Sequence, residues 1–321
     1  MILVTGGTGF IGCHLVERLC VNGDPVRCLV RPKRRTHSLP PAAGIAEGDL
    51  TTGVGLSDAL DGVDAVIHLA GITKALSAAD YYTGNVRATE SLIRAAQGRA
   101  VRFVHVSSLA AIGPSHGGAP VLEDDDPRPL THYGRSKLEA ERIVRALLPD
   151  AVIVRPPVVY GPRDTDVFQL LKSISKGLVL EIAGGERWFS AIYVHDLVDG
   201  ILAALRSPAA TGRSYFLTHA KPASWSELAT EAAAVMNRRP KVVRVPVAIA
   251  QAVGLCAEIW SHLTRKPGII SRDKIREAQC DAWICEHRRA ETELHFRAAT
   301  PLTEGLAKSL AWYKEAGWLT Y

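Results

Sequence analysis

The 321-residue sequence contains no C-x-x-C pair, no internal repeat and no low-complexity linker. Because its six cysteines are not arranged in pairs, we expect them to stay reduced. No stretch reaches the roughly 18 uninterrupted apolar residues of a membrane-spanning helix, so no integral membrane segment is expected. An apolar run already begins at Ile2, which leaves no room for a targeting peptide and predicts a soluble, cytoplasmic protein.

A strong charge of either sign is also lacking. Charged residues make up 22% of the chain and hydrophobic residues 47%, as in ordinary globular enzymes, and the net charge is only +5. This excess is not concentrated in a tail, so it favours an anionic small-molecule ligand and not nucleic acid. The length allows one large domain or two closely joined ones.

The first twelve residues, M-I-L-V-T-G-G-T-G-F-I-G, predict a buried strand, a glycine-rich turn and the start of a helix. Gly6 permits the tight turn, Gly9 lets the backbone approach a pyrophosphate, and Gly12 lets the helix and strand pack closely. The amides at the helix start supply an anion site. The pattern predicts dinucleotide binding, with these contacts: Gly6, Thr8, Gly9, Phe10, Ile11 and Gly12.

No Asp or Glu occurs between Val26 and Ala46, where a carboxylate would hold the ribose 2′-hydroxyl of NAD. A strand predicted over 25–30 is followed instead by Arg31, Lys33, Arg34 and Arg35. The planar, bidentate guanidinium of Arg31 is the best single candidate for the 2′-phosphate of NADP. NADP is therefore the expected cofactor and NAD is possible, while a solvated basic loop is the alternative interpretation.

Further strands are predicted over 44–48, 64–69, 101–106 and 151–155, and their ends offer more cofactor contacts. The small residues after the second of these let a dinucleotide lie against the backbone. A long helix predicted over 78–98 carries an amide that could tie neighbouring loops together. The contacts expected here are Asp49, Leu50, Leu69, Ala70, Gly71 and Asn85. His68, inside an apolar strand, favours a packed histidine over a catalytic one.

Ser107 and Ser108 end the fifth strand, and Tyr133 and Lys137 follow about 25 residues later on a helix running to about Leu148. A spacing of four puts both side chains on one helix face. An ammonium beside the phenol lowers the pKa of the tyrosine, which lets it exchange a proton near neutral pH. A serine from the adjacent strand end could hydrogen-bond the same substrate oxygen.

Five motifs together resemble the extended short-chain dehydrogenase/reductase superfamily, the NAD-dependent epimerase/dehydratase group: T-G-G-T-G-F-I-G, H-L-A-G, V-S-S-L-A-A-I-G, Y-G-R-S-K and R-P-P-V-V-Y-G-P. The resemblance implies an α/β fold with a doubly wound parallel (Rossmann) sheet and a smaller C-terminal substrate-binding region. The expected dinucleotide-binding domain comprises residues 1–160 and 188–218, and the expected substrate-binding region comprises residues 161–187 and 219–321.

The same resemblance assigns roles to single residues. Tyr133 is implied to be the general acid/base, Lys137 its pKa modulator and a ribose ligand, and Ser108 the partner that orients the carbonyl. Pro156 and Val158 are implied to lie beside the nicotinamide. A homodimer through the helices over 78–98 and 131–148 is also implied.

Two departures from the nucleotide-sugar members bear on the substrate. Those members carry Asn where this chain has Val158, and Arg at the position of Phe189, although Arg187 could replace it. Apolar side chains in place of diphosphate ligands suit a hydrophobic ketone or alcohol, in a pocket with Ser108, Val159 and Phe189. The Asp-Glu pair of dehydratases is replaced by Leu-Ala, so dehydration is not expected.

Three functions are therefore weighed. The first is an NAD(P)-dependent carbonyl reductase or alcohol dehydrogenase, similar to 3β-hydroxysteroid dehydrogenase and dihydroflavonol reductase. The second is a nucleotide-sugar 4-epimerase with bound NAD. The third is a non-catalytic dinucleotide sensor, which would not need a proton-transfer triad.

Two other segments have open interpretations. The apolar stretch 247–263 is too short and too interrupted to span a bilayer, and it could line an apolar cavity, lie on a membrane surface or pack in the C-terminal core. The acidic run 123–126 favours a solvated loop at the pocket rim over a metal site, and no metal is expected.

Overall fold

The structure of the chain is a computed structural model that describes residues 1–34, 36–182, 185–268 and 271–321. Arg35, one of the predicted phosphate ligands, lies outside the described residues. The strands are β1 (Ile2–Thr5), β2 (Val26–Val30), β3 (Gly44–Glu47), β4 (Ala65–His68), β5 (Arg102–Val106), β6 (Val152–Arg155), β7 (Val158–Tyr160), β8 (Leu178–Ile182), β9 (Trp188–Phe189), β10 (Ala191–Tyr193), β11 (Ser214–Phe216), β12 (Ala223–Ser224), β13 (Lys241–Val245) and β14 (Ala282–Trp283). The α-helices are α1 (Phe10–Val21), α2 (Leu56–Ala59), α3 (Ala78–Tyr81), α4 (Ala88–Ala96), α5 (His132–Leu147), α6 (Val167–Ser175), α7 (Val194–Arg206), α8 (Trp225–Val235), α9 (Val247–Thr264), α10 (Arg272–Gln279), α11 (Arg288–Leu294) and α12 (Leu302–Glu315).

A seven-stranded parallel sheet, in the order β11-β6-β5-β4-β1-β2-β3, forms the centre of the molecule. The chain proceeds from β1 to β2 and β3 in one direction, and then from β4 onward in the other. Open parallel sheets bind ligands at such a reversal, in the crevice at the carboxyl ends of the strands. The predicted doubly wound α/β fold is confirmed, and its crevice falls between the ends of β1 and β4.

Helices cover both faces of this sheet. Leu3 and Val4 are consecutive and fully buried, Leu3 in the apolar cluster with α2, α4 and α5, and Val4 in the cluster with α1, α7 and α11. A strand buried on both faces has no solvent side for polar residues, which explains its continuous apolar sequence.

A separate apolar core lies in the C-terminal half. It joins α6, α8 and α12 with β7, β9 and β10 around Leu171 and Tyr313. Helix α11 and Phe296 belong instead to the sheet cluster beside α7. One segment of the predicted substrate region 219–321 therefore packs against the nucleotide-binding sheet.

The apolar segment predicted over 247–263 forms α9, but only Ala250, Gly254 and Ser261 of that helix are buried. Its large side chains are exposed, so the interpretation as a helix of the C-terminal core is wrong. With 18 residues and a mean hydropathy of 1.2, α9 is the one helix in the described ranges long and apolar enough to cross a membrane. By length and composition, α9 is therefore not the too short and too interrupted segment that was expected.

Candidate active site

The glycine turn at the end of β1 is shaped by close backbone contacts. Gly6 has a φ of +74°, and a Cβ there would lie 2.7 Å from the amide nitrogen of Ala70. A Cβ on Gly12 would lie 2.1 Å from the carbonyl oxygen of Gly6. Helix α1 starts directly after Gly9, which has no side chain to cap the first-turn amides. The turn therefore leaves a narrow backbone cradle and a helix N-terminus suited to a pyrophosphate.

The predicted basic run lies exposed beyond the carboxyl end of β2, the strand next to β1. Arg31, Lys33 and Arg34 are all exposed there. Asp49 accepts hydrogen bonds from the Thr51 hydroxyl and from the Thr51 amide, the latter at 2.7 Å from N to Oδ1. These bonds, with a smaller effect of the Arg31 charge, lower the pKa of Asp49. Oδ1 of Asp49 is thus held in its own turn, and the contact of Asp49 with the adenine amino group stays a prediction.

Gly71, after β4, lies where the cofactor crevice meets the catalytic helix. A Cβ at Gly71 would lie 2.9 Å from Asn85 Oδ1 and 3.9 Å from Lys137 Nζ. Leu50, Leu69 and Ala70 are half-buried, and the Ala70 amide donates to Thr5 Oγ1 at 3.2 Å. Only a residue without a side chain fits at Gly71 without moving these groups.

Asn85 holds this loop against the catalytic helix. The predicted single helix over 78–98 is interrupted by a π-helical turn at Tyr82–Arg87, and Asn85 lies in that turn. Its Oδ1 accepts from the Ile72 amide at 2.7 Å, and its Nδ2 donates to Ile72 O at 3.1 Å and to Ser136 Oγ at 2.9 Å. Asn85 is buried and its amide ties neighbouring loops together, while its contact with a cofactor stays a prediction.

Tyr133 and Ser108 are brought together by the start of α5. Thr131 caps that helix by accepting from the Gly134 amide at 3.1 Å. A Cβ on Gly134 would lie 2.3 Å from the carbonyl oxygen of Ala110, so glycine lets the first turn of α5 abut the turn after β5. Tyr133 and Ser108 lie close enough together for the serine side chain to lower the pKa of the phenol.

Lys137 lies one helical turn after Tyr133 and is buried. Its Nζ donates to the carbonyl oxygen of Val106 at 2.8 Å. Burial lowers the pKa of Lys137 to about 8, partly opposed by the carboxylate of Glu141. His68 is packed as predicted, with its ring nitrogens 2.7 Å from Thr5 Oγ1 and 2.9 Å from Thr89 Oγ1.

The pKa of Tyr133 is raised and not lowered in this state. Burial is the largest cause, and the hydrogen bond to Ser108 and the charge of Lys274 act in the opposite direction. The predicted effect of Lys137 on the phenol is therefore not seen here. The ammonium that acts on Tyr133 comes instead from α10, where Lys274 Nζ pairs with Glu277 Oε2 at 2.7 Å.

Helix α10 lies against the start of the catalytic helix, and the sequence interpretation missed it. Asp273 Oδ2 accepts from the His132 amide at 3.0 Å, and Glu277 Oε1 accepts from Thr131 Oγ1 at 3.3 Å. A cavity of about 290 Å³ lies between α10, the end of α9 and the segment 73–81. The Ser271 N-cap predicts a helix here, but no local signal connects it with Tyr133, which lies far away in sequence.

The residues predicted to contact the nicotinamide and the substrate differ in how deeply they are buried. The carbonyl of Pro156 accepts from the Leu109 amide at 2.9 Å, and Val158 and Val159 are half-buried on β7. Phe189 is 2% exposed and its ring stacks on Trp225 with 4.2 Å between centroids. The structure therefore places Phe189 in the C-terminal core and not on a wall open to a substrate. Arg187 donates to the carbonyl of Ile182 at 2.7 Å.

The acidic run is not the fully solvated loop that was predicted. Residues 124–126 are exposed, but Glu123 is buried and accepts from the Phe216 amide at 3.2 Å. The carbonyl of Glu123 also accepts from Arg155 Nη1 at 2.7 Å. Within the described ranges, no three His, Cys, Asp or Glu side chains are grouped as metal ligands.

The parallel sheet with its crevice and glycine cradle defines a Rossmann-type α/β protein, and Ser108, Tyr133 and Lys137 lie at the carboxyl ends of that sheet. The profile of the NAD dependent epimerase/dehydratase family matches residues 2–217, and the chain belongs to this family. The predicted resemblance to the extended short-chain dehydrogenases/reductases is confirmed.

Several known proteins are similar to the chain. A ceramide reductase of Caulobacter vibrioides is 30% identical, and the match covers 99% of this chain and 96% of the relative. A 3 beta-hydroxysteroid dehydrogenase/Delta 5→4-isomerase of Mycobacterium tuberculosis is 32% identical over 76% of this chain and 71% of the relative. The solved structure of MoeE5 in complex with UDP-glucuronic acid and NAD has a TM-score of 0.79 and 26% identity, covering 98% and 99% of the two chains.

Proposed function

We propose that the chain is an NAD(P)-dependent oxidoreductase that interconverts a ketone and a secondary alcohol on a hydrophobic small molecule. The observation that carries the proposal is the grouping of Tyr133, Ser108 and Lys137 at the carboxyl ends of the sheet, where Gly134 lets the start of α5 abut the turn after Ser108 and Lys137 Nζ donates to Val106 O at 2.8 Å. Two neighbouring hydroxyl groups can both contact the same substrate oxygen, and a reductase of this kind requires such a double contact.

The dinucleotide fits the residues at the crevice. The cradle of Gly6 and Gly12 leaves no room for a Cβ, and the first turn of α1 offers its amides to a pyrophosphate. Exposed Arg31 would hold a 2′-phosphate, so we propose NADP as the preferred cofactor and NAD as the alternative. When bound, the nicotinamide supplies or accepts the hydride.

The chain's own residues move the proton and hold the charge. Tyr133 donates its hydroxyl proton to the substrate oxygen in reduction and withdraws it in oxidation. The Ser108 hydroxyl donates to the same oxygen and stabilises the negative charge that develops there. The buried ammonium of Lys137 is held by Val106 O, facing Gly71, where it would contact a ribose hydroxyl.

A hydrophobic substrate is supported by two features. Val158 stands where nucleotide-sugar members carry an amide ligand, and Phe189, in the place of their arginine, is packed against Trp225. Neither side chain can bind a diphosphate. Two relatives are a ceramide reductase and a hydroxysteroid dehydrogenase, and ceramides and steroids are apolar molecules. Pairing of two chains through 78–98 and 131–148 stays a prediction.

A nucleotide-sugar 4-epimerase is the second candidate. The family includes epimerases, and the MoeE5 structure was solved with a UDP-sugar and NAD. In that case the diphosphate must find ligands other than the two positions discussed above.

The test measures NADPH consumption by the purified protein with a panel of apolar ketones, and, separately, isomerisation of UDP-sugars in the presence of NAD. Ketone-dependent consumption that is lost in Tyr133→Phe and kept in Tyr82→Phe would support the proposal; Tyr82 is exposed on the neighbouring helix. Isomerisation of a UDP-sugar without any ketone reduction would overturn it in favour of the epimerase.

A further inference from the structure

Helix α9 has its apolar side on the outside. At 100° per residue, the positions 248–249, 252–253, 255–256, 259–260 and 263 share one broad face that points away from the protein. Exposed side chains on this face are Ile249, Val253, Leu255, Cys256, Ile259, Trp260 and Leu263. A surface helix of a globular protein has the opposite arrangement, with its large apolar residues facing the core.

The inward face of α9 is made of small residues that pack on α10. A Cβ on Gly254 would lie 3.1 Å from Ile275 Cγ1, and Glu258 Oε2 pairs with Arg272 Nε at 2.7 Å. The chain is anchored to the protein on both sides of α9. Before the helix β13 pairs with β8, and after it α10 packs along α9. This connection fits a helix that lies on a surface better than one that crosses a membrane.

The net positive charge of the chain is concentrated around this helix. Residues 238–268 contain six of the 38 Lys and Arg and one of the 33 Asp and Glu, so the other 290 residues carry 32 of each sign. The six cations are Arg238, Arg239, Lys241, Arg244, Arg265 and Lys266, all exposed. In the part of the chain that the structure describes, only Arg244 has a carboxylate within 4 Å, Glu181 at 3.8 Å.

Cations at both ends of an exposed apolar helix suit one occupant in particular. An anionic bilayer offers apolar chains for the outward face and negative headgroups for its flanks. A second copy of this chain on the same face would bring these cations against cations of the same sign. Charge complementarity thus favours the bilayer.

We propose that α9 is a membrane-docking helix that lies in the headgroup region of an anionic bilayer, with Trp260 and Leu263 among its inserted side chains. Glu258, Ser261 and His262, near the end of the same helix, line the cavity beside Tyr81 and His132. The docked bilayer would lie about one helix diameter, roughly 10 Å, from that cavity. The proposal goes beyond the oxidoreductase function and does not depend on which reaction the site performs.

The test is co-sedimentation of the purified full chain with vesicles of phosphatidylcholine, with and without phosphatidylglycerol. Wild type is expected to bind the anionic vesicles, more weakly as NaCl is added. Trp260→Glu and Leu263→Glu, at side chains 69% and 74% exposed, should each lower the partition coefficient about tenfold or more, equivalent to about 1.4 kcal/mol. The matched control is Val54→Glu, 69% exposed on a turn after β3, which should bind like wild type.

Two further experiments test the contribution of the cations and the alternative that α9 is a contact between two copies of the chain. Arg265→Gln combined with Lys266→Gln should weaken binding to anionic vesicles and leave binding to neutral ones unchanged. Failure of the wild-type chain to sediment with either vesicle would overturn the proposal. It would equally be overturned if sedimentation velocity without lipid showed a dimer that Trp260→Glu dissociates, because α9 would then be an interface between copies.

Discussion

The buried ion pair behind the catalytic helix allows a quantitative prediction. Arg155, at the end of β6, donates from Nε to Glu141 Oε1 at 3.0 Å and from Nη2 to Glu141 Oε2 at 2.7 Å. The two side chains are only 8% and 4% exposed. The guanidinium also contacts the carbonyl of Glu123 at 2.7 Å and the ring of Phe216. The carboxylates of Glu123 and Asp124 act on it electrostatically, but among the described residues only Glu141 pairs with it within 4 Å.

Glu141→Gln keeps the volume of the side chain but removes its charge. Arg155 then stays buried without a carboxylate in direct contact, and breaking such a pair costs about 3–5 kcal/mol. Glutamine can still accept one hydrogen bond from the guanidinium, so the loss should fall near the lower limit, about 3 kcal/mol. Glu141 also raises the pKa of Lys137, so its replacement should lower that pKa further.

The measurement is the free energy of unfolding from urea titrations. The matched control is Glu139→Gln, two residues away on the same helix, because Glu139 pairs with Arg142 at 3.1 Å on the exposed side. An exposed pair contributes at most about 1 kcal/mol. The double variant Glu141→Leu with Arg155→Met should be less destabilised than Glu141→Gln, since no charge is left buried. If Glu141→Gln proves no more destabilised than Glu139→Gln, the reasoning is refuted.

Three further predictions concern the site. In scanning fluorimetry, NADP should stabilise the wild-type protein more than NAD does. Arg31→Ala should remove this difference and leave the stabilisation by NAD unchanged, and an unchanged shift with NADP would show that Arg31 does not bind the phosphate. Gly134→Ala places a Cβ against the carbonyl of Ala110 and should reduce turnover with little change in cofactor binding, whereas equal loss of both would contradict the geometry. Lys274 lowers the pKa of Tyr133, so Lys274→Gln should move the pH dependence of alcohol oxidation to higher pH; Lys308→Gln, on α12, should not move it, and coincident profiles would exclude the effect.

Local sequence patterns predicted the parts of the site that are built from local contacts. The turn at Gly6 and the helix that carries Tyr133 and Lys137 follow from residues within a few positions of each other, while the choice of Ser108 came from the family resemblance. In the structure the Ser108 side chain is near enough to Tyr133 to lower the pKa of the phenol, and Ser107 Oγ is buried without a hydrogen-bond partner among the described residues.

Long-range contacts were beyond these patterns. Lys274 and Glu277 reach the start of α5 from more than 130 residues away, and nothing near Tyr133 signals their presence. Phe189 is an apolar side chain of the kind that lines a pocket, but it is buried because its ring stacks on Trp225, which lies far away in sequence. The apolar composition of α9 was evident, but its orientation depends on the small inward face that α10 covers.

The π-helical turn at Tyr82–Arg87 changes the rotational phase of the helical segment in which it lies. One extra residue in a turn shifts every later side chain by about 100° relative to an uninterrupted α-helix. Before the turn, Tyr81 can therefore face Tyr133, with 6.2 Å between ring centroids, while after it Leu92 and Ile93 face the sheet. Deleting a single residue here would make the segment one continuous α-helix. Tyr81 could then no longer face Tyr133 while Leu92 and Ile93 face the sheet.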